Sequence, residues 1–161
     1  MKEKIHTFKY KEYERGELPE DLQALVNTAI SFAQQAYAPY SCFRVGAALE
    51  LTTGEIVPGA NQENAAYPSG LCAERVAAFG AAIQFPNTPF SRIAIVALPP
   101  DAPSSKPISP CGACRQVLLE YEQKFNHNIE VILASQTGKT CVFPNIKSLL
   151  PFSFDAAALS I

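Results

Sequence analysis

Charge is scarce in this chain, and neither sign dominates. Charged residues are 17% of 161, with 13 Lys and Arg against 15 Asp and Glu, for a net charge of −2. No basic face is on offer, which argues against tight binding to a nucleic-acid backbone. The lysines near the start, Lys2, Lys4, Lys9 and Lys11, are interspersed with acids and read as a solvated strand or tail. Aromatics placed to stack on single strands are missing too. No apolar run is long enough to cross a bilayer, and M-K-E-K-I-H-T-F-K-Y lacks the apolar stretch of a signal peptide. The expectation is a cytoplasmic protein that binds neither nucleic acid nor membrane. Internal repeats and low-complexity segments are absent as well. So low a charge fraction also suggests that part of the surface is covered by self-association.

What is present is a globular composition, 48% hydrophobic, at a length that suits one core. The expectation is a single domain over residues 1–161, with 1–18 as an N-terminal extension. Ile5, Phe8 and Tyr10 in that extension suit a short added strand or arm. Pro19, Glu20 and Asp21 then mark a helix start, because the missing proline N–H costs nothing there and the acids suit the dipole. Apolar residues at helical spacing carry that helix to about Tyr37, where Pro39 disfavours its continuation. Residues 43–51 read as a strand, 52–54 as a tight turn and 55–60 as its hairpin partner. Gly46, Ala47 and Ala48 leave room for close packing on that strand. Residues 72–85 form an Ala-rich helix, 91–98 a buried strand, 111–125 a helix, and 129–134 and 140–143 the last strands. Residues 99–110 are a proline-rich connection, 146–150 a helical turn, and the C-terminal tail is apolar. This order predicts an α/β domain of three α/β/α layers around a mixed sheet of five strands.

Five cysteines in a chain without a secretory signal favour metal or catalytic duty over disulfides. Cys42 and Cys141 read as small buried hydrophobes. The other three are organised. Cys72 opens one helix, and Cys111 and Cys114, in P-C-G-A-C-R-Q, open another. Helix N-termini favour thiolate, and three thiolates with one open position make a catalytic zinc site. Zinc with three thiolates carries a formal charge of −1, which blunts its Lewis acidity. The two dipoles and a nearby cation offset this, with Arg75 the first candidate and Arg115 the second.

Glu74, two residues after Cys72, sits where a carboxylate can take a proton from metal-activated water and return it to a substrate nitrogen. Its plain alternative is a first-turn acid complementing the helix dipole. The C-x-x-C pair alone also fits a redox pair, or half of a closed zinc site completed by Cys42, Cys141, His6 or His127. Neither accounts for Cys72-Ala73-Glu74.

Four blocks within residues 40–116 carry a family resemblance. They are Tyr40-Ser41-Cys42-Phe43-Arg44-Val45-Gly46-Ala47-Ala48, Asn61-Gln62-Glu63-Asn64-Ala65-Ala66-Tyr67, Cys72-Ala73-Glu74-Arg75, and Pro110-Cys111-Gly112-Ala113-Cys114-Arg115-Gln116. Together they resemble the small zinc-dependent cytidine deaminases, of the homotetrameric type whose zinc is held by three cysteines. The last two blocks alone mark only the wider deaminase superfamily.

The resemblance implies deamination of cytidine and 2′-deoxycytidine in pyrimidine salvage, by attack at C4 of water activated on zinc. It implies Cys72, Cys111 and Cys114 as ligands of one Zn2+ per chain and Glu74 as proton shuttle. Asn61 and Glu63 would hold a ribose hydroxyl, Phe43 would pack on the pyrimidine, and the Ala73 backbone would meet the base edge. Ala65, Tyr67 and Phe154 would complete pockets shared between subunits of a homotetramer. Arg75 and Gln116 would bond to ligand sulfurs. The segment Pro68-Ser69-Gly70-Leu71 departs from the family's commoner Gly-Leu-Thr-Ile. Two further readings stand beside this one: deamination of another nucleoside-like amine, of the blasticidin S type, and a non-catalytic zinc-stabilised binding protein.

Overall fold

The computed structural model describes residues 1–14 and 16–159. Arg15 of the N-terminal extension, and Ser160 and Ile161 at the end of the apolar tail, lie outside the described residues. The elements in chain order are β1 (Lys11–Tyr13), α1 (Glu20–Ala33), β2 (Arg44–Leu51), β3 (Ile56–Ala60), α2 (Ala73–Gln84), β4 (Phe90–Leu98), α3 (Gly112–Lys124), β5 (Glu130–Ala134) and β6 (Thr140–Phe143). The strands form one sheet in the order β1-β6-β5-β4-β2-β3. Every neighbouring pair is antiparallel except β4 and β5, which are parallel and joined through α3.

Period-two alternation sorts the strand side chains onto two faces. Leu49, Ile93, Ile95, Val131 and Leu133 pack with Ala73 and Ala77 of α2 and with Leu118 and Leu119 of α3. Ala48, Ala94, Val96, Ile132 and Ala134 pack with Leu22, Leu25, Val26 and Ala29 of α1. This is the expected three-layer α/β arrangement, with six strands rather than five. The additional strand, β1, comes from the N-terminal extension and pairs with β6, Lys11 opposite Val142. The residues before β1 form an exposed arm. Its Phe8 and Tyr10 lie against Phe143, and its His6 ring reaches within 6.4 Å of the Phe152 ring.

Two glycines set how closely the helices approach. A Cβ at Gly46 would meet the Ala29 carbonyl at 1.9 Å, so α1 rests directly on β2. A Cβ at Gly59 would meet the Ala73 carbonyl at 2.3 Å, so the first turn of α2 rests on β3. α1 ends at Ala33, four residues before the expected Tyr37, because Tyr37 bridges to Gln62 instead. Its N–H donates to the Asn61 carbonyl, and its carbonyl accepts from Glu63 N. That bridge lays the 37–43 turn beside the loop after β3. Among the described residues no helix is long and apolar enough to cross a membrane.

Candidate metal centre

The starts of α2 and α3 meet at one end of the sheet. Cys72 is the N-cap of α2 and Cys111 the N-cap of α3, while Cys114 lies in the first turn of α3. Neither capping side chain accepts a hydrogen bond from its own helix. The sulfurs are therefore free to face each other, with both helix dipoles directed at them. Cys72 Sγ is 3.9 Å from Cys111 Sγ, and Cys111 Sγ is 3.5 Å from Cys114 Sγ. All three lie within 4.8 Å of one another, and no fourth His, Cys, Asp or Glu joins them among the described residues. Tetrahedral zinc with Zn–S bonds of about 2.3 Å sets its sulfurs about 3.8 Å apart. The trio fits that ion and leaves one position open, as a catalytic rather than a closed site does.

Protonation makes the same point. The Cys72 thiol is lowered to about 5, chiefly by the hydrogen bond from Cys114 and then by Arg75. The Cys114 thiol is pushed far up, because it keeps its proton to donate a hydrogen bond to Cys72, is buried, and faces the Glu74 carboxyl. Three thiolates at this spacing would repel one another, and a divalent ion is what offsets that repulsion. Glu74 is only 4% exposed. Burial raises its carboxyl first, and the neighbouring Cys72 thiolate adds to the rise.

Of the two arginines read from the sequence, one reaches sulfur. Arg75 Nη2 donates to Cys72 Sγ at 3.7 Å. Its Nε is buried without a hydrogen-bond partner among the described residues. Arg115 turns away. It donates to the carbonyls of Pro110 and Leu149, each at 2.8 Å, and to Ser109 Oγ at 2.9 Å, which ties the C-terminal segment to α3. Gln116 Nε2 donates to the Phe154 carbonyl at 2.8 Å and not to a sulfur.

The other candidate residues surround this centre less tightly. Asn61 uses its side-chain amide to shape the entrance to β2. Its Nδ2 donates to the Phe43 carbonyl at 3.0 Å, and its Oδ1 accepts from Val45 N at 2.7 Å. Glu63 is half-buried, and its carboxylate accepts from Tyr40 N at 2.9 Å and Ser41 N at 3.2 Å. It also accepts a short hydrogen bond from the Ser41 hydroxyl. An open cleft of about 330 Å3 beside Cys72 is lined by Asn61, Glu63, Tyr67, Leu71, Cys72 and Arg75. Phe43 is half-buried at the adjoining turn, and Ala73 is buried behind the sulfurs. Ala65, Tyr67 and Phe154 are exposed.

Ser41 was not singled out by the sequence. Its signal was its place in the Tyr40–Phe43 turn, one residue before a left-handed backbone position at Cys42 (φ 55°). Cys42 itself is exposed and Cys141 only half-buried, so neither is the fully buried hydrophobe expected.

Comparison with known proteins agrees with this geometry. Residues 19–126 match the model of the cytidine and deoxycytidylate deaminase zinc-binding region. The chain is 39% identical to a cytidine deaminase of Sporosarcina psychrophila over 140 residues, 87% of this chain and 96% of that one. It is 45% identical to a cytidine deaminase of Halalkalibacterium halodurans over 100 residues, 62% of this chain and 71% of the relative. Among solved structures, it resembles the cytidine deaminase of Burkholderia pseudomallei with a TM-score of 0.72 and 40% identity, over 82% of this chain and 98% of the other. A family match that takes in both cysteine-bearing helix starts, and a relative spanned almost end to end, show that this chain belongs to the zinc-dependent cytidine deaminases.

Proposed function

We propose that the protein hydrolyses cytidine and 2′-deoxycytidine to uridine and 2′-deoxyuridine with release of ammonia, a step of pyrimidine salvage. The observation that carries this reading is Glu74, buried beside three convergent sulfurs and two residues from the first of them. Zinc held by Cys72, Cys111 and Cys114 would supply the Lewis acid that acidifies a water molecule. Glu74 would take the proton from that water as its oxygen adds to C4, deliver it to N3 of the ring, and move the remaining proton of the added hydroxyl to the amine as the C4–N bond breaks. Its raised carboxyl suits a group that must hold a proton between the two transfers. The Ala73 backbone meets the base edge, and Phe43 packs on the ring. Asn61 and Glu63 hold a ribose hydroxyl. Asn61 Nδ2 keeps a second N–H for this, since only one is used on Phe43.

The assembly we propose is a homotetramer with shared pockets, in which Ala65, Tyr67 and Phe154 face a neighbouring subunit. Large apolar side chains left in solvent support self-association: Tyr67 is 74% exposed and Ile83, on α2, 81%. Gln116 bonds to the Phe154 carbonyl and so tethers the C-terminal segment to the helix that carries Cys114.

Ammonia release from cytidine, with zinc measured on the same sample, tests the reading. The expected result is turnover with about one zinc per chain, as for a single catalytic site. Cytidine monophosphate is expected to react far more slowly, because the Glu63 carboxylate repels a phosphate placed near it. Zinc without release from cytidine would move the reading to another amine substrate, and the panel then includes blasticidin S.

A further inference from the structure

Glu63 does not sit free in the cleft, and a single side chain decides how it is held. Glu63 Oε2 accepts from two backbone donors, Tyr40 N and Ser41 N. Oε1 accepts from the Ser41 hydroxyl. Ser41 Oγ in turn accepts from Phe43 N at 3.0 Å. A hydroxyl has one proton, and an ionised carboxylate only accepts. With the Phe43 N–H donating to Ser41 Oγ, the serine proton is directed at Glu63. The turn that allows this is closed by Cys42 N donating to the Ala38 carbonyl at 3.0 Å, with Cys42 in the left-handed region.

Two consequences follow from donor and acceptor counting. A carboxylate offers about four acceptor directions, and the turn fills three of them. One remains, on Oε1, and it can receive only a donor. A sugar hydroxyl supplies a donor there, whereas a phosphate oxygen or a bare C–H does not. The same serine also ties Phe43 to Glu63, so the residue assigned to the ring and the residue assigned to the sugar share one hinge of hydrogen bonds.

We propose that Ser41 is a positioning residue for substrate, which aims Glu63 as a one-directional acceptor and thereby sets the enzyme's demand for a free sugar hydroxyl. The proposal rests on the nucleoside reading above. The Glu63 carboxyl is held below its usual range chiefly by the Ser41 hydroxyl and next by the Tyr40 amide, in keeping with an acceptor that stays ionised.

Steady-state kinetics of the zinc-loaded wild type, Ser41→Ala and Ser41→Thr test it, each with cytidine and with 2′,3′-dideoxycytidine read as substrate or as competitive inhibitor. Ser41→Ala should raise KM for cytidine about tenfold, the loss expected for one hydrogen bond to a charged group. Its kcat should change by no more than about twofold, because Glu63 does not touch the reacting atoms. The KM or inhibition constant for dideoxycytidine should change several-fold less, since that compound lacks the 2′- and 3′-hydroxyls and feels Ser41 only through the Phe43 turn. Ser41→Thr keeps the donor and should behave as wild type on both. An equal loss on both compounds, a fall in kcat alone, or no change at all would overturn the proposal. Failure of the wild type to act on cytidine would instead remove the parent reading.

Discussion

The two halves of the site are built in opposite ways. The sulfur half is made by two helix starts, where Cys114 is wholly buried and Glu74 nearly so while Cys111 stays exposed. The other half, to which we assign the sugar, is made by loops. Phe43, Asn61 and Glu63 are half-buried, and Tyr67 and Phe154 stand in solvent. In the first half the backbone is fixed by helix hydrogen bonds and by the contact of α2 on Gly59. In the second, position depends on side chains that hold turns, with Asn61 and Ser41 each joining two segments. One chain therefore preorganises the sulfur centre but leaves the adjoining cleft open. Damage to the first half should therefore abolish turnover, and damage to the second should weaken binding.

The largest effect is expected from the metal ligands. Cys114→Ala removes a buried sulfur and leaves only two ligands on a site that needs three. Zinc should fall well below one per chain, with loss of all measurable deamination. Cys42→Ala, at an exposed cysteine outside the trio, should leave both unchanged. If Cys114→Ala retained zinc and turnover, the sulfur trio would not be the centre.

Glu74→Gln probes the same half without disturbing the metal. The amide fills the same space but cannot carry the proton, so kcat should fall by about 10^3-fold, within the range for a lost general acid–base group. Zinc content and Tm should stay near wild type. Loss of zinc together with activity would mean that Glu74 acts structurally, as the plain dipole-complementing acid.

The open half should respond differently. Phe154→Ala removes an exposed ring held near α3 through its own backbone carbonyl, so the Gln116 hydrogen bond survives the change. If Phe154 closes over the base, KM for cytidine should rise about tenfold, the scale of one lost base–aromatic contact. Its kcat should hold. A fall in kcat with unchanged KM would place this ring in the chemical half and break the contrast.

The sulfur half was also the more legible in the sequence. Helix starts announce themselves through proline, acids and cysteine spacing, all local signals. Cys72, Glu74 and Arg75 lie within one turn, and Cys111 and Cys114 within another. What sequence could not show depended on distant partners. The end of α1 was misplaced because Tyr37 pairs with Gln62, far along the chain. Arg115 looked like a cation for sulfur, but the returning C-terminal segment offers the Leu149 carbonyl and claims it. The extension suggests an added strand, but its place at Lys11–Tyr13 and its pairing as a sixth strand depend on β6, because Lys-Glu-Tyr has no apolar alternation. Ser41 was invisible as a positioning group because its partner Glu63 is 22 residues away.

The smallest effect tests where the open half leans for support. The N-terminal arm lies outside the family match, which begins at residue 19. Its Tyr10 stacks on Phe143 at 5.1 Å and its Phe8 tilts against the same ring at 6.2 Å. His6 sits near Phe152, two residues from Phe154. Removing residues 1–10 leaves β1 in place but strips these rings from Phe143. Two aromatic pairs contribute about 2 kcal/mol together, which for a chain of this size lowers Tm by roughly 4–8 °C. Zinc content and kcat should not change, because no residue of the arm approaches the sulfurs or Glu74 among the hydrogen bonds and ring contacts described. Hydrogen exchange should quicken around residues 150–156 as Phe152 loses its neighbour. Loss of zinc on this truncation would show that the arm supports the sulfur half, and the division between the two halves would no longer hold.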